Sequence, residues 1–271
     1  AKTEGEVLRG LSVFEKACRN RGLVLAGHKT NVLQGDDARN DLRDPDLEAI
    51  RYLWESGKKE RARPLLRKVL KSALNRRAVE GRRAKFSLWR LAQLLDQSLV
   101  KKVIEALDDL APLASVVAAY LQTLYTKPRV EQGISDFLHD STRNRSPFLS
   151  AWLLAAMLDA PDPLPWRWTA YAREVAKSSG PIYQRVMAVN VLAKGRQASD
   201  IQWLKEALNR EFNPEMARGL LVALARAQDL PKWLSNNIEA RIPETKRTIV
   251  YLKGRRSLPS LIWTDRSNRI D

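Results

Sequence analysis

The residues whose types and spacing could do chemistry fall into three groups: a pair of aspartates, a Lys-Thr turn and a long run of cations. Asp36 and Asp37 form the first. Paired carboxylates at a strand turn can hold two divalent ions for phosphoryl transfer. These two lie in the polar run GDDARNDLRDPD, which reads as a solvated loop leading to a helix cap, so no catalytic or metal-binding residue is assigned there. Lys29 and Thr30, the second group, stand between two short apolar runs. His28 and His139 are far apart and the single cysteine, Cys18, has no partner, which argues against a zinc site, a Cys-His nucleophile and an internal disulfide.

The third group runs from Lys58 to Arg90, where thirteen bases face two acids, Glu60 and Glu80. The bases are Lys58, Lys59, Arg61, Arg63, Arg67, Lys68, Lys71, Arg76, Arg77, Arg82, Arg83, Lys85 and Arg90. This segment carries +11, in a chain of 271 residues whose formal net charge is +16, so a polyanion is the first partner to consider. Leu66, Val69, Leu70 and Ala73 make one apolar stripe at helical spacing, with Arg63, Arg67 and Lys71 following at four-residue intervals beside it. A merely solvated helix face ordinarily mixes signs, with acids spaced to pair with the bases; here they are nearly absent. Rows of Lys and Arg contact phosphates, giving an affinity that weakens with salt and is blind to sequence. Trp54, Phe86 and Trp89 are interleaved with the cations, placed either to stack on unpaired bases or to join a core.

Several elements must position these groups. Thr3 can cap a helix with Glu4 and Glu6 in its first turn, and Val7, Leu8, Leu11, Phe14 and Cys18 recur at helical spacing. Gly22 to Leu33, GLVLAGHKTNVL, reads as a β-hairpin that reverses between Ala26 and Lys29. Asp44 and Pro45 cap and open a helix running to about Ser56-Gly57. The basic helix is expected from about Lys58 to Val79, a third helix from Arg83 to Leu95 and a fourth from Leu99 to Leu110.

From there the chain is periodic. Pro112, Pro147, Pro181 and Pro214 each head an apolar helix, at spacings of 35, 34 and 33 residues. A more amphipathic helix follows each, beginning near Pro128, Pro165, Asp200 and Pro231, and the last three carry Trp168, Trp203 and Trp233 in comparable places. Helix pairs at this period, each unable to bury its apolar face alone, are the pattern of a right-handed α-solenoid of HEAT-like pairs. The expected fold class is therefore mainly α, a solenoid preceded by a helix and a β-hairpin. Val250, Leu252, Leu261, Ile262 and Trp263 are expected to cap the last repeat, while Lys253, Arg255 and Arg256 extend the basic surface. A hydrophobic fraction of 44% suits a chain with a substantial core, and no apolar run is long enough to span a membrane, so a cytoplasmic setting is expected.

The stretch Arg21-Gly22-Leu23-Val24-Leu25-Ala26-Gly27-His28-Lys29-Thr30, following Leu11-Ser12-Val13-Phe14, resembles the primer-grip hairpin G-L-x-L-x-x-x-K-T of bacterial reverse transcriptases. The family commonly has Asn where this chain has Ala26, and the resemblance covers only about the first 35 residues. It implies that residues 1–43 are the end of the polymerase palm, 44–110 a basic thumb-like region, and 111–271 the helical repeats with their C-terminal cap. In the family the metal-binding aspartates lie upstream of this helix. The resemblance thus implies that the chain has no polymerase active site of its own, and that Mg²⁺ and the catalytic carboxylates belong to an upstream polymerase portion. A polymerase end passing into helical repeats is similar to the layout of abortive-infection reverse transcriptases. Such a layout implies anti-phage defence, with template-primer or single-stranded DNA product as partner, no membrane, and self-association left open. If a tyrosine primes synthesis, as in some members, the candidates are Tyr52, Tyr120, Tyr125, Tyr171, Tyr183 and Tyr251. Two other readings stay open. One is a stand-alone DNA-binding solenoid similar to alkyl-purine DNA glycosylases, for which Trp152, Asp159 and Trp203 would be nominated; the other is a basic protein-binding scaffold.

Overall fold

The computed structural model describes residues 44–75 and 79–253, together with seven residues between 6 and 17. The chain divides into two compact units, Ala1–Ser56 and Gly57–Asp271. The described residues are mainly helical and include no strand. The hairpin expected at Gly22 to Leu33, with Lys29 and Thr30, lies outside them, as do Asp36 and Asp37.

In the first unit Glu6, Arg9, Gly10, Ser12, Val13, Phe14 and Ala17 are helical, where the sequence predicts a helix; Phe14, expected on its apolar stripe, is exposed. Helix α1, Pro45–Glu55, opens as expected. The Asp44 carboxylate accepts from the Leu47 N–H at 3.2 Å, and Pro45 occupies the first position, where a missing N–H leaves no bond unmade.

The second unit contains α2 (Lys59–Leu74), α3 (Gly81–Gln93), α4 (Val100–Glu105), α5 (Ala114–Gln122), α6 (Pro128–His139), α7 (Pro147–Met157), α8 (Trp166–Lys177), α9 (Ile182–Gly195), α10 (Ala198–Arg210), α11 (Pro214–Arg226), α12 (Lys232–Arg241) and α13 (Lys246–Lys253). Packing sorts them into two rows. In one, α3, α5, α7, α9, α11 and α13 each pack on the next; in the other, α4 meets both α2 and α6, α6 meets α8, and α10 meets α12. Cross-row pairs such as α2 on α3, α8 on α9 and α10 on α11 join them.

Apolar sequence explains the middle of the first row, α5, α7 and α9. A helix hydrophobic nearly all round must be covered nearly all round. In α7 every residue from Leu149 to Met157 is buried except Trp152. Close approach within the row is set at Gly219, where an added Cβ would lie 2.6 Å from Val186 Cγ2, so the Val186 side chain of α9 packs directly on the backbone of α11. The prolines punctuate as expected. Pro147 and Pro214 start α7 and α11, capped by Ser146 and Asn213; Pro181 immediately precedes α9; Pro112 sits in a short 3-10 turn before α5.

Four expectations are corrected. The basic helix ends at Leu74, short of Val79, with Asn75 as its C-cap. The fourth helix ends at Glu105 because Ala106 to Leu110 close turns instead, with Asp109 N–H on Ala106 C=O and Leu110 N–H on Leu107 C=O, both at 3.1 Å. Asp108 and Asp109 favour such turns over a helix interior. The three tryptophans are not equivalent. Trp168 is fully buried against Tyr125 at a ring separation of 5.0 Å, Trp203 is half-buried beside Lys177, and Trp233 is exposed, because each occupies a different register of its helix. At the C-terminal end, Ile249 is the buried residue of α13, whereas Val250, expected to cap, is exposed. Leu252 is half-buried and Lys253 exposed; Arg255, Arg256, Leu261, Ile262 and Trp263 lie outside the described residues.

Candidate nucleic-acid interface

Helix α2 buries Ala62, Leu66, Val69, Leu70 and Ala73, the stripe its sequence predicts. At about 100° per residue, Arg63 and Arg67 flank one edge of that stripe, and Arg61, Lys68 and Lys71 project from the opposite face. The expected row Arg63-Arg67-Lys71 is therefore split by what its members touch.

The split originates at the end of α3. There Leu95 adopts φ 53°, with Asp96 N–H on Leu91 C=O and Leu95 N–H on Ala92 C=O, both at 3.0 Å, so the helix closes in a Schellman turn. The reversal turns Asp96 inward, where it is 2% exposed. Its carboxylate accepts from Arg67 Nε at 2.9 Å and Nη2 at 2.5 Å, with Arg63 Nη1 at 3.8 Å. It also accepts from the Ser98 backbone N–H and hydroxyl at 3.0 and 2.6 Å, while Tyr120 donates to the Asp96 C=O at 2.7 Å. Burial pushes the Asp96 pKa up, but the bonds from Arg67 and Ser98 outweigh it and hold the carboxyl below its ordinary range. The same bond raises the Arg67 pKa. Arg63 is further occupied by Glu60 at 2.8 Å. These two arginines fasten α2 to the turn after α3.

The remaining cations sort by exposure. Lys58, Lys59, Arg61, Lys68, Lys71, Arg82 and Lys85 are exposed. Arg83 approaches Glu80 at 3.7 Å, and the Arg90 guanidinium lies 3.7 Å from the Phe86 ring centroid, covering an aromatic that was a stacking candidate. Arg76 and Arg77 lie outside the described residues. Trp54 is half-buried within the first unit.

Trp89, the third stacking candidate, borders a cleft of about 250 Å³. The C-terminal parts of α3 and α5 and the turn after α7 enclose it, with Trp89, Gln93, Leu95, Gln122, Thr123 and Asp159 in its lining. Gln122 Nε2 donates to Asp159 Oδ2 at 2.7 Å, and the Gln122 Oε1 atom is buried without a donor. Burial lowers the pKa of Arg226 on α11, an effect the charge of Asp159 partly offsets. Trp152 packs edge-on against Phe148 along α7, and Trp203 stands in the other row, so Trp152, Asp159 and Trp203 do not form one site.

The tyrosines divide cleanly. Tyr120, Tyr125 and Tyr171 are buried, and burial raises the pKa of the first two; Tyr52, Tyr183 and Tyr251 are exposed. Among the described residues no group of three His, Cys, Asp or Glu side chains could hold a metal ion, and no helix is long and apolar enough to cross a membrane.

No family model, curated protein or solved structure matches the chain.

Two features escaped the sequence reading. Asp96 stood in a helix-ending Asp-Gln-Ser, whose Asx-turn signal marks a local bend but not a buried carboxylate. The Gln122–Asp159 pair joins residues 37 apart, which no local periodicity connects.

Proposed function

We propose that this chain is the nucleic-acid-gripping, helical-repeat portion of an RNA-directed DNA polymerase of the anti-phage defence type, with its catalytic aspartates and Mg²⁺ in an upstream portion. The observation that carries nucleic-acid binding is the outward face of α2, where Arg61, Lys68 and Lys71 are exposed, with Lys58 and Lys85 exposed nearby in sequence. The single acid on α2, Glu60, is engaged with Arg63. A cationic face of this kind suits a phosphate backbone and reads no sequence.

The polymerase part of the reading rests on the likeness of Arg21 to Thr30 to a primer grip, which the basic helix follows where a thumb would stand. The two rows of helices support a HEAT-like right-handed α-solenoid as the architecture, since each pair covers its apolar face with its neighbours. Were a tyrosine to prime synthesis, Tyr52, Tyr183 and Tyr251 are the accessible hydroxyls.

The test is binding of a fluorescent ten-nucleotide dT strand and of an RNA–DNA hybrid between low and physiological salt. Affinity should fall steeply with salt, and the R61E/K68E/K71E variant should lose most of it while keeping its Tm. Salt-independent binding, or binding unchanged in the variant, would overturn the nucleic-acid reading. With Mg²⁺ and deoxynucleotides the chain alone should incorporate nothing; incorporation would place an active site within it.

A further inference from the structure

We propose that the end of the second unit at which α7, α9 and α11 begin is a further nucleic-acid surface, where Phe148, Tyr183 and Phe212 stack the unpaired bases of a single strand. The inference rests on the nucleic-acid reading for the class of its ligand, and the surface is separate from α2.

Contacts between successive repeats bring the three rings to one end. The Tyr171 hydroxyl accepts from Asn144 Nδ2 at 2.9 Å and from Gln184 Nε2 at 3.5 Å, so the approach to α7 and the first turn of α9 lie side by side. Gly219, in the second turn of α11, meets Val186 in the second turn of α9. Arg241, at the end of α12, donates to the Leu208, Asn209 and Glu211 carbonyls at the end of α10 and lies 5.1 Å from the Phe212 ring centroid.

None of the three rings belongs to the core. Phe148 is 51% exposed, Tyr183 47% and Phe212 72%. Trp152 packs edge-on against Phe148 and Arg241 lies on Phe212, yet both rings stay more than half exposed, enough for a base to lie against them. Each ring also has an arginine within three residues, Arg145, Arg185 and Arg210. Arg145 and Arg210 are exposed, while Arg185 is half-buried with its Nε on the Ala176 C=O. Of the acids nearby, Asp140 and Glu211 accept N–H groups of their own turns, and Glu215 faces water. A ring beside a cation can stack a base and meet its phosphate, whereas an apolar partner would leave the arginines without a counter-charge.

Spacing selects an unpaired strand. Since α7 packs on α9 and α9 on α11, the platforms stand on neighbouring helices, whose axes lie about 8–10 Å apart. Successive bases within a duplex strand are only about 3.4 Å apart. The rings therefore fit a strand with its bases splayed, about one per repeat, and offer a paired helix nothing to stack on. The opposite end lacks this arrangement. Trp166 and Trp233 are exposed at the starts of α8 and α12, but Gln197-Ala198-Ser199, at the start of α10 between them, has no aromatic.

Fluorescence anisotropy on the 271-residue chain with the dT strand and with a blunt RNA–DNA hybrid tests the surface. Phe148→Ala and Tyr183→Ala should each weaken dT binding about tenfold and leave the hybrid bound as by the parent, with circular dichroism confirming the fold. Tyr183→Phe should keep full affinity, because the ring is what stacks. Trp166→Ala with Trp233→Ala, which removes two other exposed aromatics, should change neither affinity. A dT strand carrying one central 5-iodouracil, irradiated on the parent chain, should crosslink to peptides containing Phe148, Tyr183 or Phe212. Unchanged dT binding in both alanine variants, an equal loss on the hybrid, or crosslinks absent from those peptides overturns the surface. Parent-like binding by R61E/K68E/K71E, with the loss in Phe148→Ala intact, would instead overturn only the reading of α2.

Discussion

Helices α2 and α8 use similar cations for opposite ends. In α8, Arg167 pairs with Asp136 at 2.8 Å, Arg173 with Asp200 at 2.6 Å, and Lys177 lies 5.8 Å from the Trp203 ring centroid, so its bases are spent on neighbouring helices. In α2, Arg63 and Arg67 are committed in that way, to Asp96, while Arg61, Lys68 and Lys71 face outward. Arg67–Asp96 and Arg173–Asp200 are the same device, an arginine on the second row reaching a nearly buried carboxylate at a turn or helix start. Charge count alone does not make a binding face; what remains after the internal pairs are formed does.

The comparison can be broken first at its core. Leu66→Ala should destabilise the chain by roughly 2–5 kcal/mol in urea unfolding, since Leu66 is wholly buried on the α2 stripe. A negligible change would mean that α2 does not pack as described. Next, Arg67→Ala and Arg173→Ala should each cost about 3 kcal/mol, because each leaves a buried carboxylate without its guanidinium. Neither should alter the salt dependence of nucleic-acid binding. Loss of affinity in Arg67→Ala at unchanged Tm would erase the distinction between the two flanks of α2.

Acid sharpens the same point. The folded pKa of Asp96 lies below its unfolded value of about 3.9, so its stabilisation is fully present above that value and is lost as pH falls through the folded pKa. Asp96→Asn should therefore show a flatter stability profile than the parent below about pH 4 in thermal melts. Parallel profiles would mean that Asp96 adds no pH-dependent stability.

Smaller effects come from the surfaces. Lys68→Ala with Lys71→Ala should leave Tm within experimental scatter while reducing the log–log salt slope for single strands by about 1.4, two phosphate contacts' worth. Arg167→Ala, whose ion pair is partly exposed, should cost no more than about 1 kcal/mol and change no binding constant.

Much of the fold was legible before any coordinates. The α2 stripe, the Asp44-Pro45 helix start and the positions of the apolar helices follow from caps, prolines and a 3.6-residue period, all of them local signals. The overlong α2 and α4 show where such signals fail, since a helix end depends on which turn competes with it. The Trp168, Trp203 and Trp233 series failed for a related reason. Spacing between helices does not set the register within a helix, and one residue turns a side chain by about 100°.

By itself the sequence determined that the described chain is mainly helical, that α2 has one buried face, and that a surplus of positive charge gathers between Lys58 and Arg90. Only the tertiary structure decided which of those charges remain outward. Asp96 lies 29 residues beyond Arg67 and is turned inward by the left-handed Leu95, so the pairing is a product of two helices meeting. Periodicity can place a residue on a helix face; the partner that face meets is decided by packing.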